Sequence, residues 1–296
     1  MLKDTRLAFI GTGVMGEAMI RGLLAHELVA PEAITASHPR RERQEELAAQ
    51  FRIETTGDNR KAVEGAGIVT LSVKPQVLPA VLGDLRGRIP KRGFVLSIVA
   101  GARIATIVKG LEHRAVVRCM PNTPAQVGEG MTVWTATPAV GSRQRAQAQA
   151  VLGALGKDLP VEEEEFLDMA TAVSGTGPTY VFMLMEALID AAVHLGFSRA
   201  DARTLVVQTL RGAALFAEQS RAHPAELRNM VTSPGGTSAA AVYQLEKGGL
   251  RTVLSKAVWA AYQRSMTLGQ KQPGPSDPNA EETSAAEDPS GDAAPE

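Results

Sequence analysis

The sequence predicts an α/β fold in which an N-terminal doubly wound parallel sheet is followed by an all-α region. Three observations carry that expectation. Short apolar runs alternate with helix-like segments up to about residue 160, a glycine-rich turn joins the first run to the first helix, and beyond that point the strand pattern stops.

The first element is Leu7-Ala8-Phe9-Ile10, an apolar run of strand type that leads directly into Gly11-Thr12-Gly13-Val14-Met15-Gly16. The residues from Glu17 to Leu24 then read as a helix, so the order is strand, G-x-G-x-x-G, helix. In that order the first glycine permits the tight turn, the second lets backbone approach a pyrophosphate, and the third lets helix and strand pack closely. This is the Rossmann-type arrangement of a dinucleotide site.

The second strand is read at Ala33-Ile34-Thr35-Ala36. An acidic residue at its end would select NAD by binding the ribose hydroxyls. The chain has Ser37-His38-Pro39-Arg40-Arg41-Glu42-Arg43 instead, a hydroxyl and guanidinium groups suited to a 2′-phosphate. NADPH is therefore expected over NADH, with at least one of these arginines belonging to the solvated first turn of a helix.

Further strands are read at Ile68 to Val73, Phe94 to Val99 and Ala115 to Met120. Ligands bind such sheets at the C-terminal ends of the strands. That places Val73-Lys74-Pro75-Gln76, Ala100-Gly101 and Pro121-Asn122-Thr123-Pro124 on the cofactor rim. A Lys before Pro at a strand end shapes the loop and offers its backbone, so Lys74 is not read as an acid catalyst.

The second half reads as successive helices: Phe166 to Val173, Tyr180 to Leu195, Ala200 to Glu218, Pro224 to Met230, Ser238 to Glu246 and Val253 to Leu268. The segment from Tyr180 to Val193 is apolar around nearly its whole circumference, which demands burial on all sides. One small domain hardly provides that, so an interlocked homodimer is expected. Ser174-Gly175-Thr176-Gly177-Pro178 breaks two of these helices. Val231-Thr232-Ser233-Pro234-Gly235-Gly236-Thr237-Ser238 joins a glycine turn to a hydroxyl-rich helix start. Such a junction presents unpaired N–H groups and a positive dipole end to a carboxylate, although a plain capped helix has the same composition.

Composition bounds the rest. The chain has 296 residues, 44% of them hydrophobic, enough for two compact units. The single cysteine, Cys119, rules out an intrachain disulfide framework and reads as a buried thiol in a reducing cytosol. The histidines are dispersed and no metal site is expected. No signal segment and no apolar run of about 18 residues is read, so a cytoplasmic protein without a membrane span is expected. From Lys271 to Glu296 the chain carries one Lys against seven acidic residues, leaving the body at +5; this acidic tail is expected to remain disordered. No basic stripe with interleaved aromatics is present, so nucleic acid is not expected as a partner.

Taken together these residues give a resemblance: the chain resembles the pyrroline-5-carboxylate reductase family over roughly residues 5 to 269. The resemblance rests on Gly11 to Gly16, Val73-Lys74-Pro75-Gln76, Arg118-Cys119-Met120-Pro121-Asn122-Thr123-Pro124, Ser174 to Pro178 and above all Val231 to Glu246. It implies reduction of L-1-pyrroline-5-carboxylate to L-proline with NAD(P)H, in an active site at the dimer interface. It also implies that Ser37, Pro39 and Asn59 line the adenosine-phosphate side, and Val73, Lys74 and Ala100 the nicotinamide half; the guanidinium reading adds Arg40 to the first, and the strand-end rim adds Pro75 and Gly101 to the second. The substrate carboxylate would meet Gly235, Gly236, Thr237 and Ser238. Glu164 aligns with an acidic position near the substrate ring nitrogen, although the run Glu162-Glu163-Glu164-Glu165 reads equally as a solvated charge run.

One departure stands out: the family usually has Thr where this chain has Ser238, the residue expected to hydrogen-bond the imine nitrogen as catalytic group. Ser keeps the hydroxyl and loses the methyl that restricts its rotamer, and Thr237 offers a neighbouring hydroxyl. The expected division is a NADP-binding Rossmann domain over 1–160, a helical dimerisation and substrate domain over 161–270, and the tail over 271–296. The interlocked dimer is the minimal unit, and a decamer of such dimers leaves no separate mark in the sequence. A β-hydroxyacid dehydrogenase of similar build is disfavoured, because its catalytic Lys and Asn would fall at Val181 and Met185. A non-catalytic NADP-binding regulator would keep the glycine loop without needing Val231 to Glu246.

Overall fold

The computed structural model describes residues 2–270; the acidic tail expected from Lys271 onward lies outside the described residues. Eight strands form one sheet in the order β3-β2-β1-β4-β5-β6-β7-β8. They are β1 (Leu7–Ile10), β2 (Ile34–Ser37), β3 (Glu54–Thr56), β4 (Ile68–Leu71), β5 (Phe94–Ser97), β6 (Val116–Met120), β7 (Gly130–Ala136) and β8 (Gly156–Pro160).

β1, β4 and β5 are buried on both faces, which is why they read as unbroken apolar runs with no alternation. One face is covered by α1 (Val14–Ala25), α2 (Arg41–Phe51) and α6 (Ser142–Gly153), whose Met19, Ile20, Leu23, Leu47 and Leu152 pack with Phe9, Phe94 and Leu96. The other is covered by α3 (Asn59–Ala62), α4 (Leu78–Leu85) and α5 (Ile104–Leu111), which bring Val81, Leu82, Leu85 and Ile107 onto Ala8, Ile10 and Val95. Each such side chain withdrawn from water contributes about 1.5–3 kcal/mol, so this half closes its own core within one chain.

The sheet is parallel except at one junction, where β7 runs antiparallel to β6, with β8 again parallel to β7. The link from Met120 to Gly130 is a short 3₁₀ turn at Thr123–Val127, too brief for the crossover that a parallel neighbour needs. β7 went unread in the sequence although Thr132-Val133-Trp134-Thr135 is a run of β-branched and aromatic residues that favour a strand. β3 and β8 are short and polar enough to leave no pattern.

From Phe166 onward the described residues are helical: α7 (Phe166–Ala170), α8 (Gly177–His194), α9 (Arg199–Gln219), α10 (Pro224–Met230), α11 (Thr237–Lys247) and α12 (Leu250–Gln270). The helix expected over Phe166 to Val173 divides. α7 passes at Thr171–Gly175 into a π-helical turn, where Ser174 Oγ donates to the Ala170 carbonyl at 3.0 Å and Thr176 Oγ1 to that of Thr171 at 2.8 Å. α8 has no residue buried by its own chain. Phe182 and Met183 are 59% and 65% exposed, and Trp259 on α12 is 60% exposed.

Candidate active site

The turn after β1 does what its glycines allow. Gly11 takes φ +82°, a left-handed conformation that side chains rarely adopt, and its N–H donates to the Ser37 carbonyl at 3.0 Å. Gly16 faces inward: a Cβ there would lie 2.9 Å from both the Gly11 carbonyl oxygen and Ser72 Oγ. Gly13 faces outward, where an added Cβ would meet nothing within 4 Å. Gly13 is also the N-cap of α1 and has no capping side chain, so the first N–H groups of Val14 and Met15 lack intrahelical acceptors. Open space beside free donors at a dipole's positive end fits the pyrophosphate of a dinucleotide. Val14, 64% exposed, stands at that opening. Thr12 does not: its side chain is fully buried, and it supports the loop from within.

The arginines after β2 divide in an order the sequence did not reveal. Arg41 pairs with Glu45 at 2.9 Å on the solvated face of α2. Arg43 turns back onto α1, pairs with Glu17 and with Glu46 (3.0 Å), and reaches the Thr12 carbonyl at 3.4 Å. Burial pushes the Glu17 carboxyl up, but Arg43 and Arg21 outweigh it and hold it below the ordinary carboxylate value. Arg43 therefore braces the glycine loop. Arg40 is exposed, and its guanidinium has no partner among the described residues. Beside it the His38 imidazole is held below its ordinary value by burial, and Nδ1 accepts the Arg40 N–H at 3.2 Å.

At the same sheet edge lie Ser37 with Asn59, exposed Lys74 and Pro75, and half-buried Val73, Ala100 and Gly101. Gly101 also takes a left-handed turn, φ +71°. Cys119 is buried with its Sγ 3.4 Å from the Ser97 carbonyl, and burial pushes its thiol well above the ordinary range, so no thiolate is offered.

The Gly235–Ser238 turn stands on the helical half. Gly235 has φ +71°, Gly236 caps α11 without a side-chain bond, and the Gly236 N–H donates to the Ser233 carbonyl at 3.0 Å. Thr237 and Ser238 open α11 with unpaired hydroxyls among the described residues, Thr237 exposed and Ser238 half-buried. The hydrogen bonds of this turn are local, and α11 packs on α12.

Glu164 is not part of a solvated run. Its Oε1 accepts from Arg118 Nη1 at 2.6 Å and from the Ile104 N–H at 2.8 Å. Arg118, which is buried, also lies 3.6 Å from Asp168, whose other oxygen accepts from Arg103 Nη2 at 2.7 Å. Sequence reasoning missed Arg103, Arg118 and Asp168. The signal was present, since Arg118 interrupts an apolar strand and a buried guanidinium requires carboxylate partners.

Residues 164–268 match the family model described as pyrroline-5-carboxylate reductase dimerisation, and residues 6–101 match one described as NADP oxidoreductase, coenzyme F420-dependent. The chain is 42% identical to a pyrroline-5-carboxylate reductase of Synechocystis over 90% of this chain and 99% of that protein. It is 36% identical to the Arabidopsis thaliana protein of the same name over 90% and 96%. Among solved structures, the Coxiella burnetii pyrroline-5-carboxylate reductase superposes with TM-score 0.84 at 34% identity, covering 91% of this chain and 100% of that one. A Plasmodium falciparum pyrroline carboxylate reductase with NADP bound gives 0.82 at 28% identity, covering 90% and 99%.

Proposed function

The chain belongs to the pyrroline-5-carboxylate reductase family, and from that premise we propose which of its residues perform the family's reaction. It is an NAD(P)H-dependent oxidoreductase that reduces the C=N bond of L-1-pyrroline-5-carboxylate to give L-proline, the final step of proline biosynthesis.

Bound nicotinamide supplies a hydride to the ring carbon. The protein's task is to hold that carbon in place, anchor the carboxylate and accompany the nitrogen as it takes a proton. Gly13, Val14 and Met15 hold the pyrophosphate, Arg40 the adenosine phosphate with Pro39 beside it, Ser37 and Asn59 line that side of the pocket, and Val73, Lys74, Pro75, Ala100 and Gly101 the nicotinamide half. Gly11, Thr12 and Gly16 shape the loop. The absence of an acid after β2, together with the unpaired Arg40, supports NADPH as the preferred cofactor and NADH as the weaker one.

On the helical half, the N–H groups of Gly236, Thr237 and Ser238 after the Gly235 turn anchor the substrate carboxylate. The Ser238 hydroxyl orients the imine nitrogen and relays to it a proton that solvent water supplies, so that the hydroxyl is restored as the amine forms. Such a site needs no catalytic His or Lys.

The working unit is an interlocked homodimer in which the Gly235–Ser238 turn of one chain faces the nucleotide half of the other. The single observation behind this is α8, apolar around nearly its whole circumference and with no residue buried by its own chain. A decamer built from such dimers is compatible with it. No helix among the described residues is long and apolar enough to cross a membrane, and we place the enzyme in the cytoplasm. The test is nicotinamide oxidation by the full chain with L-1-pyrroline-5-carboxylate, using NADPH and NADH in parallel. Turnover faster with NADPH is expected, and NADPH binding without turnover would overturn the assignment of the substrate site.

A further inference from the structure

Glu164, Arg118, Asp168 and Arg103 form one charge network with a location that suggests its purpose. Arg118 projects from the centre of β6, and Glu164 and Asp168 come from the segment that opens the helical half. The side chains of Arg118 and Asp168 are 4% and 3% exposed, too deep to be incidental surface pairs. The network balances two guanidinium groups against two carboxylates. Asp168 has a further donor in Ser265 Oγ at 3.0 Å, which ties α12 to the same point.

The other end of the network is the loop after β5. Residues Val99 to Arg103 connect β5 to α5 with one internal backbone bond, from the Ala102 N–H to the Val99 carbonyl at 3.2 Å. Arg103 is the N-cap of α5 and provides no side-chain cap. The cap comes from sixty residues along the chain, where Glu164 Oε1 accepts the Ile104 N–H. The Arg103 guanidinium is held in turn by Asp168. Both ends of this clamp lie directly after Ala100 and Gly101.

We propose that Glu164, with Arg118 and Asp168 behind it, is a positioning residue that fixes the Ala100–Ile104 loop as the nicotinamide rim through its Oε1. The inference rests on the cofactor reading above. It assigns Glu164 a task beyond the one its alignment near the imine nitrogen implies: Oε1 is committed to Arg118 and the loop.

The experiment compares two ligands on the full chain by titration calorimetry. NADP⁺ spans both halves of the cofactor site, whereas adenosine 2′,5′-bisphosphate lacks the nicotinamide half. Glu164→Ala is expected to weaken NADP⁺ by about tenfold, as loss of a charge-assisted hydrogen bond does, and to leave the bisphosphate within about twofold. Glu164→Gln, which keeps an oxygen for the Ile104 N–H, recovers most of the NADP⁺ affinity. Arg103→Met, at the exposed margin of the network, shifts NADP⁺ in the same direction as Glu164→Ala and serves if that variant does not fold. Equal weakening of both ligands, or of neither, would overturn the proposal. An unmodified chain that binds neither ligand would overturn the cofactor reading as well, and the two failures are distinct.

Discussion

Ser37 Oγ donates to Asn59 Oδ1 across 2.7 Å, and Asn59 Nδ2 donates onward to Asp84 Oδ2 at 3.2 Å. A hydroxyl has one hydrogen, so Ser37 presents lone pairs, not a donor, to whatever lies beside it. In the proposed cofactor site the positive donor for a 2′-phosphate is then Arg40, since Arg41 is paired with Glu45 and Arg43 with Glu17 and Glu46. Arg40→Ala is expected to lower the ratio of kcat/KM for NADPH over NADH by about tenfold, the value of one charged hydrogen bond. Steady-state kinetics with both cofactors decides it, and an unchanged ratio would remove Arg40 from the site.

The glycine loop separates folding from binding. Gly16→Ala forces a Cβ against the Gly11 carbonyl and Ser72, and it should cost roughly 1–3 kcal/mol of stability. Gly13→Ala meets nothing in the chain and should melt with the unmodified protein while binding NADPH at least about tenfold more weakly. Thermal melts with and without NADPH distinguish the two.

Ser238→Ala is expected to lower kcat by about a hundredfold while leaving the Kd for NADPH unchanged. Thr237→Ala serves as its partner experiment. If the larger loss falls on Thr237, the active hydroxyl is one residue earlier.

Met183 stands in the middle of α8, where its own chain leaves it 65% exposed. Met183→Glu places a charge on the surface proposed to meet a second chain, at a cost of several kcal/mol to that contact. Sedimentation should show monomers without turnover that still bind NADPH, because the nucleotide core does not involve α8. A fully active dimer would move the interface elsewhere.

Burial holds the His38 imidazole below its ordinary 6.5, which favours the neutral ring that accepts the Arg40 N–H. The folded chain then binds fewer protons there than the unfolded chain. Stability is intact above 6.5 and falls as the pH descends from 6.5 through the lower folded value. Thermal midpoints on either side of 6.5 should show this component, and His38→Asn, which retains an acceptor, should abolish it.

What the sequence disclosed and what it hid follow from the range of the interactions. The turn at Gly11 to Gly16 was legible because left-handed backbone and close packing are local demands that glycine alone meets. The helical half was legible from its run of helix-like segments and from an apolar circumference at α8 that its own chain leaves unburied. The roles of the arginines were hidden, because Arg43 finds Glu17 twenty-six residues away and Arg103 finds Asp168 sixty-five away. Glu164 was misleading for the same reason. A run of four acids reads as solvated unless one knows that a buried Arg118 lies opposite its third member. The antiparallel β7 was missed although its β-branched and aromatic residues favour a strand, overshadowed by the loop motif before it.

The two halves of the chain also differ in when they can be finished. A ribosome delivers the nucleotide half first, and every apolar side chain of its core is already present once α6 and β8 have emerged, although buried Arg118 still awaits Glu164 and Asp168. The helices that follow bury little by themselves and, in the dimer proposed above, wait for another copy, an encounter whose rate rises with the square of concentration. Dilution should therefore erode specific activity while leaving nucleotide binding untouched. A cell making this protein slowly would accumulate chains that hold cofactor before any of them can turn it over.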